Sequence, residues 1–305
     1  MTITCLGLAP ALDVTYGVAS VAVGRIHRPD WVLELAGGKA INVARALRTL
    51  GGEVRVVAPL GGPNGLAVEH SLAAEGIAAT VVRTTGNTRR CVTAMDASTG
   101  TATEFYEPAP ALDAAALSGV LDAVAALPDG WLAVSGSMPG ELVDAVADAV
   151  AGAAARGIRI AADVQGTALR EVLARARPAV VKVNRSEAAD LYGPGDAAAL
   201  ARRLRDAGAE VAVVTDGAAG AVAVSDSGTW LARPGERGRY AVGSGDSFLA
   251  GLLLGVTRGD DLPSALGLAT AAASANTRAP GAARFTPSDV DEALSGALVE
   301  QAAHL

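Results

Sequence analysis

Residues 179–183, Ala179-Val180-Val181-Lys182-Val183, and residues 211–215, Val211-Ala212-Val213-Val214-Thr215, are two short runs rich in β-branched side chains. Between them, 197–207 places apolar residues at helical spacing. Strand, covering helix and second strand in that order make a βαβ unit, whose two strands run parallel because the helix carries the chain back. The same pattern extends outward. Residues 3–8, 54–58, 131–135 and 158–162 read as further strands, and 41–50 and 142–155 as amphipathic helices. Strands this continuously apolar are buried on both faces. The fold class is therefore α/β, a mostly parallel sheet covered by helices on both sides. In such sheets ligands sit beyond the carboxyl ends of the strands.

Two stretches break the rhythm. Residues 13–35 and 88–107 alternate apolar and polar side chains without a helical period. Within the second, 93–97 and 101–105 flank Ser98-Thr99-Gly100 as a hairpin would. Two readings stay open: a small sheet beside the α/β body, or surface elaboration of that body. No internal repeat, low-complexity tail or long linker divides the chain, so 1–305 is expected to form a single domain with these two insertions.

Composition narrows the function. Lys and Arg number 25 against 32 Asp and Glu, a net charge of −7, which disfavours nucleic acid as a partner. Half the residues are apolar but only 3% are aromatic, so the core is expected to pack closely on small side chains. The apolar stretches 247–257 and 262–277 are too short or too rich in Ala, Ser and Thr for a membrane span. The N-terminus lacks the basic start of a signal peptide. A cytoplasmic protein without membrane partners is expected. Cys5 and Cys91, with His27, His70 and His304, make no metal-ligand spacing.

Four clusters are able to carry chemistry. In Ala241-Val242-Gly243-Ser244-Gly245-Asp246-Ser247-Phe248, two glycines permit a tight turn into an apolar helix. Helix N-terminal amides and the positive dipole end suit a transferring phosphate, and Asp246 beside them suits a general base. Equally, Asp246 is an ordinary N-cap and the glycines only shape a loop. Gly37-Gly38-Lys39-Ala40-Ile41-Asn42 opens a second helix, where close backbone approach and an amide fit a polyhydroxylated ligand or merely a turn. Asn184 and Glu187, three apart after a strand, present oxygens to hydrated Mg²⁺ or cap a helix. Thr215-Asp216-Gly217 holds nucleotide phosphates or forms a plain turn. Arg89 and Arg90, and Arg25 and Arg28, clamp a substrate phosphate or are solvated surface.

The joint order of these segments resembles the ribokinase/PfkB carbohydrate kinases, within them the hexose-phosphate branch that includes 1-phosphofructokinase and tagatose-6-phosphate kinase. It runs nearly end to end: 8–13, Gly37-Gly38-Lys39-Ala40-Ile41-Asn42-Val43-Ala44-Arg45, Thr88-Arg89, Ser135-Gly136-Ser137-Met138-Pro139, Asp163, Lys182-Val183-Asn184-Arg185-Ser186-Glu187, Thr215-Asp216-Gly217 and Gly243-Ser244-Gly245-Asp246. The resemblance implies a ribokinase-like core with a small β-sheet lid built from the two irregular stretches. It implies Asp246 as base, with the amides of Gly243, Ser244 and Gly245 at the transferring phosphoryl group. Asp13, Gly38, Lys39 and Asn42 would hold the sugar, while Arg89 and Arg28 would reach its phosphate. Lys182, Asn184, Thr215 and Gly217 would contact ATP, and Asn184 and Glu187 would organise Mg²⁺ through water. The implied reaction is transfer from ATP to a ketohexose monophosphate, fructose 1-phosphate first, with fructose 6-phosphate or tagatose 6-phosphate as alternatives. A catalytically silent sugar- or nucleotide-binding regulator is the alternative outside catalysis. Members of this branch often dimerise through their lids, which makes a homodimer the expected assembly. Ala9 stands where 1-phosphofructokinases usually have Asn, Cys91 replaces a common Asn, Val183 a common Pro and Ser244 a common Ala. The stretch 233–240 departs from the usual proline-rich approach to the turn.

Overall fold

A computed structural model describes residues 1–236 and 238–302; Arg237, within the departing stretch, and His304 lie outside it. The chain opens with β1 (Ile3–Leu6), leaves it for β2 (Ala11–Val18) and β3 (Trp31–Gly37), and returns through α1 (Lys39–Thr49) and β4 (Val54–Leu60). Helix α2 (Gly62–Ala74) and β5 (Ala78–Arg83) precede a second excursion, β6 (Arg89–Asp96) and β7 (Ala102–Tyr106). Then come α3 (Ala114–Ala125), β8 (Trp131–Ser135), α4 (Val143–Ala155), β9 (Arg159–Asp163), α5 (Gly166–Ala176) and β10 (Val180–Asn184). Helices α6 (Arg185–Tyr192) and α7 (Ala197–Asp206) lead to β11 (Val211–Thr215), β12 (Ala221–Ser225) and β13 (Gly228–Arg233). The chain continues through α8 (Ser244–Arg258), α9 (Leu262–Asn276), α10 (Pro287–Gly296) and β14 (Leu298–Gln301).

Ten strands form the main sheet in the order β14-β13-β12-β11-β10-β9-β8-β1-β4-β5. The seven from β11 to β5 pair in parallel; β12, β13 and β14 add an antiparallel edge. Period-two alternation splits the core between the two faces. Ile3, Cys5, Val56, Ala133 and Val213 pack with α1, α8 and α9, whereas Leu6, Val57, Leu132, Val134 and Val214 pack with α4, α5 and α7. The expected strand over 158–162 begins one residue later, and the helix over 41–50 starts two residues earlier, at Lys39. Asp113, Asp196 and Asp261 each cap a helix by accepting from the backbone N–H three residues on.

Small residues set the helix spacing on the α8 face. A Cβ on Gly251 would lie 2.7 Å from the Ala269 Cα, so these two helices touch backbone to backbone. That contact is what a core rich in Ala and Gly permits.

The two irregular stretches meet in a separate four-stranded sheet, β3-β2-β6-β7. Its inner pair, β2 and β6, runs parallel, and each has an antiparallel partner outside it. The two stretches thus form a small sheet of their own, with β2 and β6 covered at its centre and β7 exposed along its edge. Among the described residues no helix is long and apolar enough to cross a membrane.

Candidate active site

The strand order reverses at β1, which has β8 on one side and β4 on the other, and a ligand crevice opens at such a point. A cleft of about 880 Å³ lies there, between the carboxyl ends of the strands and the small sheet. Gly7 after β1, Ser135 ending β8, Lys182 and Asn184 on β10 and Thr215 ending β11 line it, with Asp13, Arg89 and Cys91 from the small sheet. Arg89 Nε, Ser135 Oγ and Thr270 Oγ1 are buried in its walls without a hydrogen-bond partner, which marks a site shaped for a polar ligand.

The turn before α8 is built by Gly243, whose φ of 82° is left-handed and favours glycine. This corrects the expected helix start. Gly243 is the N-cap and Ser244 the first helical residue, so Asp246 occupies the third position rather than the cap. The Ser244 N–H is spent on the Ala241 carbonyl at 3.1 Å. The amides of Gly245 and Asp246 point out of the first turn, where helix geometry offers them no acceptor. Lys182 reaches the same point: a Cβ on Gly245 would fall 3.1 Å from its Nζ. The side chain of Asp246 is buried and accepts from Asn42 Nδ2 at 2.8 Å.

Behind this turn lies a buried charge cluster. Asp163, wholly inaccessible, accepts from Lys182 Nζ at 2.6 Å and from Lys39 Nζ at 3.2 Å. Lys39 also pairs with Glu187 at 3.2 Å. Glu187 and Asn184 form a reciprocal capping box on α6, so the capping reading of that motif is realised. The box also leaves Glu187 at the cleft rim, where both residues line the cavity.

Arg89 lies along the small-sheet side of the cleft, donating from Nη2 to the Ala9 carbonyl at 3.0 Å and from Nη1 to the Glu107 carbonyl at 3.3 Å. Gly38 donates its backbone N–H to Asp13. Thr215 Oγ1 rests on the Val183 carbonyl at 3.4 Å, and Gly217 follows at the rim. Of the expected residues, Asp13, Gly38, Lys39, Asn42, Arg89, Lys182, Asn184, Glu187, Thr215, Gly217 and the 243–246 turn converge on one cleft. Arg28 does not. It sits exposed in the segment between β2 and β3, away from the cleft of its own chain, because that loop projects beyond the small sheet.

Residues 3–289 match the family described as pfkB family carbohydrate kinase. The chain belongs to the PfkB carbohydrate kinase family. A 1-phosphofructokinase of Xanthomonas campestris pv. campestris is 33% identical over 305 residues, covering 96% of each chain. The ATP-dependent 6-phosphofructokinase isozyme 2 of Escherichia coli K12 is 30% identical over 282 residues, 89% of this chain and 91% of that one. A crystal structure of phosphofructokinase-2 from Escherichia coli, in complex with substrates and products, superposes with a TM-score of 0.92 at 27% identity, over 97% and 99% of the chains. This PfkB protein is an ATP-dependent sugar phosphate kinase of phosphofructokinase type.

Some residues of the kinase cleft were not assigned a place from sequence. Asp163 entered only as a family match; a lone carboxylate ending an apolar strand is the signal that marks it. Arg239, Glu104 and Tyr106 also line the cleft. Nothing in their local sequence distinguishes them from surface residues, since they reach the site through sheet pairing and chain return.

Burial raises Asp246 to about 6, reinforced by Asp163 and opposed by Lys182, Asn42 and Lys39. Burial likewise pushes Asp13 to about 7, with Arg45 and Arg89 pulling it down and Asp246 pushing it up. Burial opposes ionisation of Asp163, but Lys182 and Lys39 prevail and hold its carboxyl below the usual range. Burial disfavours charge on Lys39 too, yet Asp163, Glu187 and Asp246 keep it above its ordinary value. A carboxylate raised on folding is better protonated in the folded chain, so its stabilising contribution is complete below the unfolded value and disappears as pH rises through about 6. Asp246→Asn is therefore expected to melt at least about 2 °C above wild type at pH 8, with the gain shrinking toward pH 4.5. Scanning calorimetry at both pH values checks it; an equal or lower melting temperature at pH 8 contradicts it.

Proposed function

We propose that this kinase transfers the γ-phosphoryl group of ATP to a hydroxyl of a ketohexose monophosphate, with fructose 1-phosphate as acceptor and Asp246 as general base. One observation carries the reading: a buried carboxylate stands beside a helix N-terminus and a buried lysine, in a cleft that Arg89 also lines. A near-neutral carboxyl is matched to accepting a proton from an alcohol at working pH. Asp246 takes the acceptor hydroxyl's proton as its oxygen bonds to the γ-phosphorus and the bond to ADP breaks. The Gly245 and Asp246 amides and the Lys182 ammonium face the charge that builds on the phosphoryl oxygens.

Asp13, Gly38, Lys39 and Asn42 hold the sugar hydroxyls, and Arg89 pairs with the phosphate already present. Thr215 and Gly217 hold ATP at the end of β11, alongside Lys182 and Asn184. Mg²⁺ fits the rim. It is usually bound through one or two carboxylates, waters and substrate phosphates, and Glu187 is committed through both oxygens to Lys39 and to the Asn184 N–H, which favours contact through water. The ion would neutralise phosphate charge there. The small sheet acts as a lid, and the whole chain as one kinase unit.

Fructose 1-phosphate is supported by likeness to relatives named 1-phosphofructokinase. Ala9, whose carbonyl anchors Arg89, favours fructose 6-phosphate as the second candidate. ADP formation is to be compared across fructose 1-phosphate, fructose 6-phosphate, tagatose 6-phosphate and unphosphorylated fructose. No turnover on any phosphorylated sugar refutes the reading. Asp246→Asn is expected to lower turnover roughly 10²–10⁴-fold while leaving ATP affinity near normal; retained turnover removes Asp246 from the base role. Arg89→Ala is expected to raise the KM for the sugar phosphate about 10–100-fold, because charge-assisted hydrogen bonds contribute roughly 1.5–3 kcal/mol. An unchanged KM places the phosphate elsewhere.

The lid also supports a homodimer. Val32 on edge strand β3 and Phe105 on edge strand β7 share the face turned away from the cleft, and each is more than half exposed, at 55% and 63%. An exposed apolar face on a sheet with two open edges calls for a partner, and a second copy of the lid supplies the same surface. Phe105→Glu is expected to shift the sedimentation coefficient from dimer to monomer; a wild-type monomer at micromolar concentration overturns this.

A further inference from the structure

Arg45 lies on α1 one turn beyond Asn42, and its side chain is buried. A guanidinium carries five N–H donors in one plane, and here every one is used. Nε donates to Glu75 Oε2 at 2.5 Å, and Nη2 to Glu75 Oε1 at 3.0 Å and to the Ala36 carbonyl at 2.5 Å. Nη1 donates to the Ala282 carbonyl at 3.3 Å and to Asn42 Oδ1 at 3.4 Å. These acceptors belong to different parts of the molecule. Glu75 ends α2, Ala36 lies near the foot of lid strand β3, and Ala282 backs the catalytic turn, where a Cβ on Gly243 would fall 2.5 Å from the Ala282 Cβ.

Asn42 presents the other end of its carboxamide to Asp246, donating from Nδ2 to Oδ2 at 2.8 Å. Turned over, that amide would set its NH₂ against a guanidinium N–H and its oxygen against a carboxylate, two contacts between like partners. Arg45 therefore dictates which end of Asn42 faces the base. The foot of the lid is held by the same group: the Ala36 N–H donates to Ser71 Oγ at 3.1 Å, and Ser71 Oγ donates to Glu75 Oε1 at 2.9 Å.

We propose that Arg45 is a positioning residue that orients the Asn42 carboxamide, and through it Asp246, and ties that alignment to the foot of the lid at Ala36. The inference rests on the reading of Asp246 as the base. It differs from a stabilising role because Arg45 acts through Asn42, so its effect on turnover disappears once Asn42 is gone. The lid's foot and the base thus share one rigid, fully used guanidinium.

A double-mutant cycle on the full chain tests this, with ATP and fructose 1-phosphate, or fructose 6-phosphate where that turns over faster. Arg45→Met and Asn42→Ala are each expected to lower kcat about 10–100-fold, with the KM for ATP within about threefold of wild type. The double variant is expected to be no worse than Asn42→Ala within about threefold. Losses that multiply in the double variant, or a loss confined to the KM for ATP, overturn the proposal. Should Arg45→Met show no cooperative melting transition, Arg45→Lys takes its place under the same criteria, since one ammonium cannot serve all the acceptors of a planar guanidinium. Asp246→Asn separates the two claims. If it retains wild-type turnover, the base reading fails and carries this inference with it. If it is inactive while the cycle multiplies, only the role of Arg45 fails.

Discussion

Asp163 is an ionised carboxylate with no access to solvent, held between the ammonium groups of Lys182 and Lys39. Burying such a charge is costly, and it is tolerated only where partners are close and well directed. Its partners come from different elements: β9 supplies Asp163, β10 supplies Lys182 and α1 supplies Lys39. The pairing therefore fixes the first turn of α1 against the ends of two parallel strands. Lys182 continues to the first turn of α8 at Gly245, and Lys39 to the first turn of α6 at Glu187. Three helix N-termini are thus gathered around one anionic residue through two cations.

That gathering has an electrostatic consequence. Helix N-termini carry partial positive charge and unpaired amides, so their convergence makes the cleft attractive to phosphates in a chain whose net charge is −7. Global charge and local field differ because the site draws on oriented backbone and on two lysines, Lys182 buried and Lys39 in the cleft wall. The same field acts on Asp246. Asp246 escapes the full pull of Lys182 and Lys39 because Asp163 already answers them, and burial and Asp163 then raise it to about 6. Asp163, with Glu187 on Lys39, balances the two lysines, and Asp163 also tunes its neighbour Asp246.

The small sheet meets this centre through a second, quieter network. Asp13 on β2 lies beneath Gly37 so closely that a Cβ there would stand 2.0 Å from its Cγ. The strand carrying Gly37 also carries Ala36, the residue gripped by Arg45 and Ser71. Asp13 and the Arg45–Asn42–Asp246 chain are therefore joined at the root of β3. This explains why Asn42 and Arg45, three apart on α1, are both buried although both are polar. Arg45 is met by Glu75, Ala36 and Ala282 from other elements, and Asn42 by Asp246 on α8 and by Arg45 itself.

Much of this was legible in the amino-acid order. The Val-rich runs ending at Val183 and Thr215 specified parallel strands, since β-branched side chains continuous over both faces have no other comfortable place. The glycines at 37–38 and 243–245 marked close backbone approach, and the carboxylates and amides beside them marked the chemistry. Local sequence could not say that Asp246 sits at the third helical position, because the helix start depends on a left-handed Gly243 backed by Ala282, almost forty residues away in the chain. Nor could it separate Arg89, which enters the cleft, from Arg28, which does not; the two differ in strand register and loop direction, not in type. What the sequence by itself determined was the α/β order, the glycine turns that come to line the cleft and the family. Only the tertiary structure decided which charges are buried together, because desolvation and pairing depend on distances between elements that no local spacing encodes.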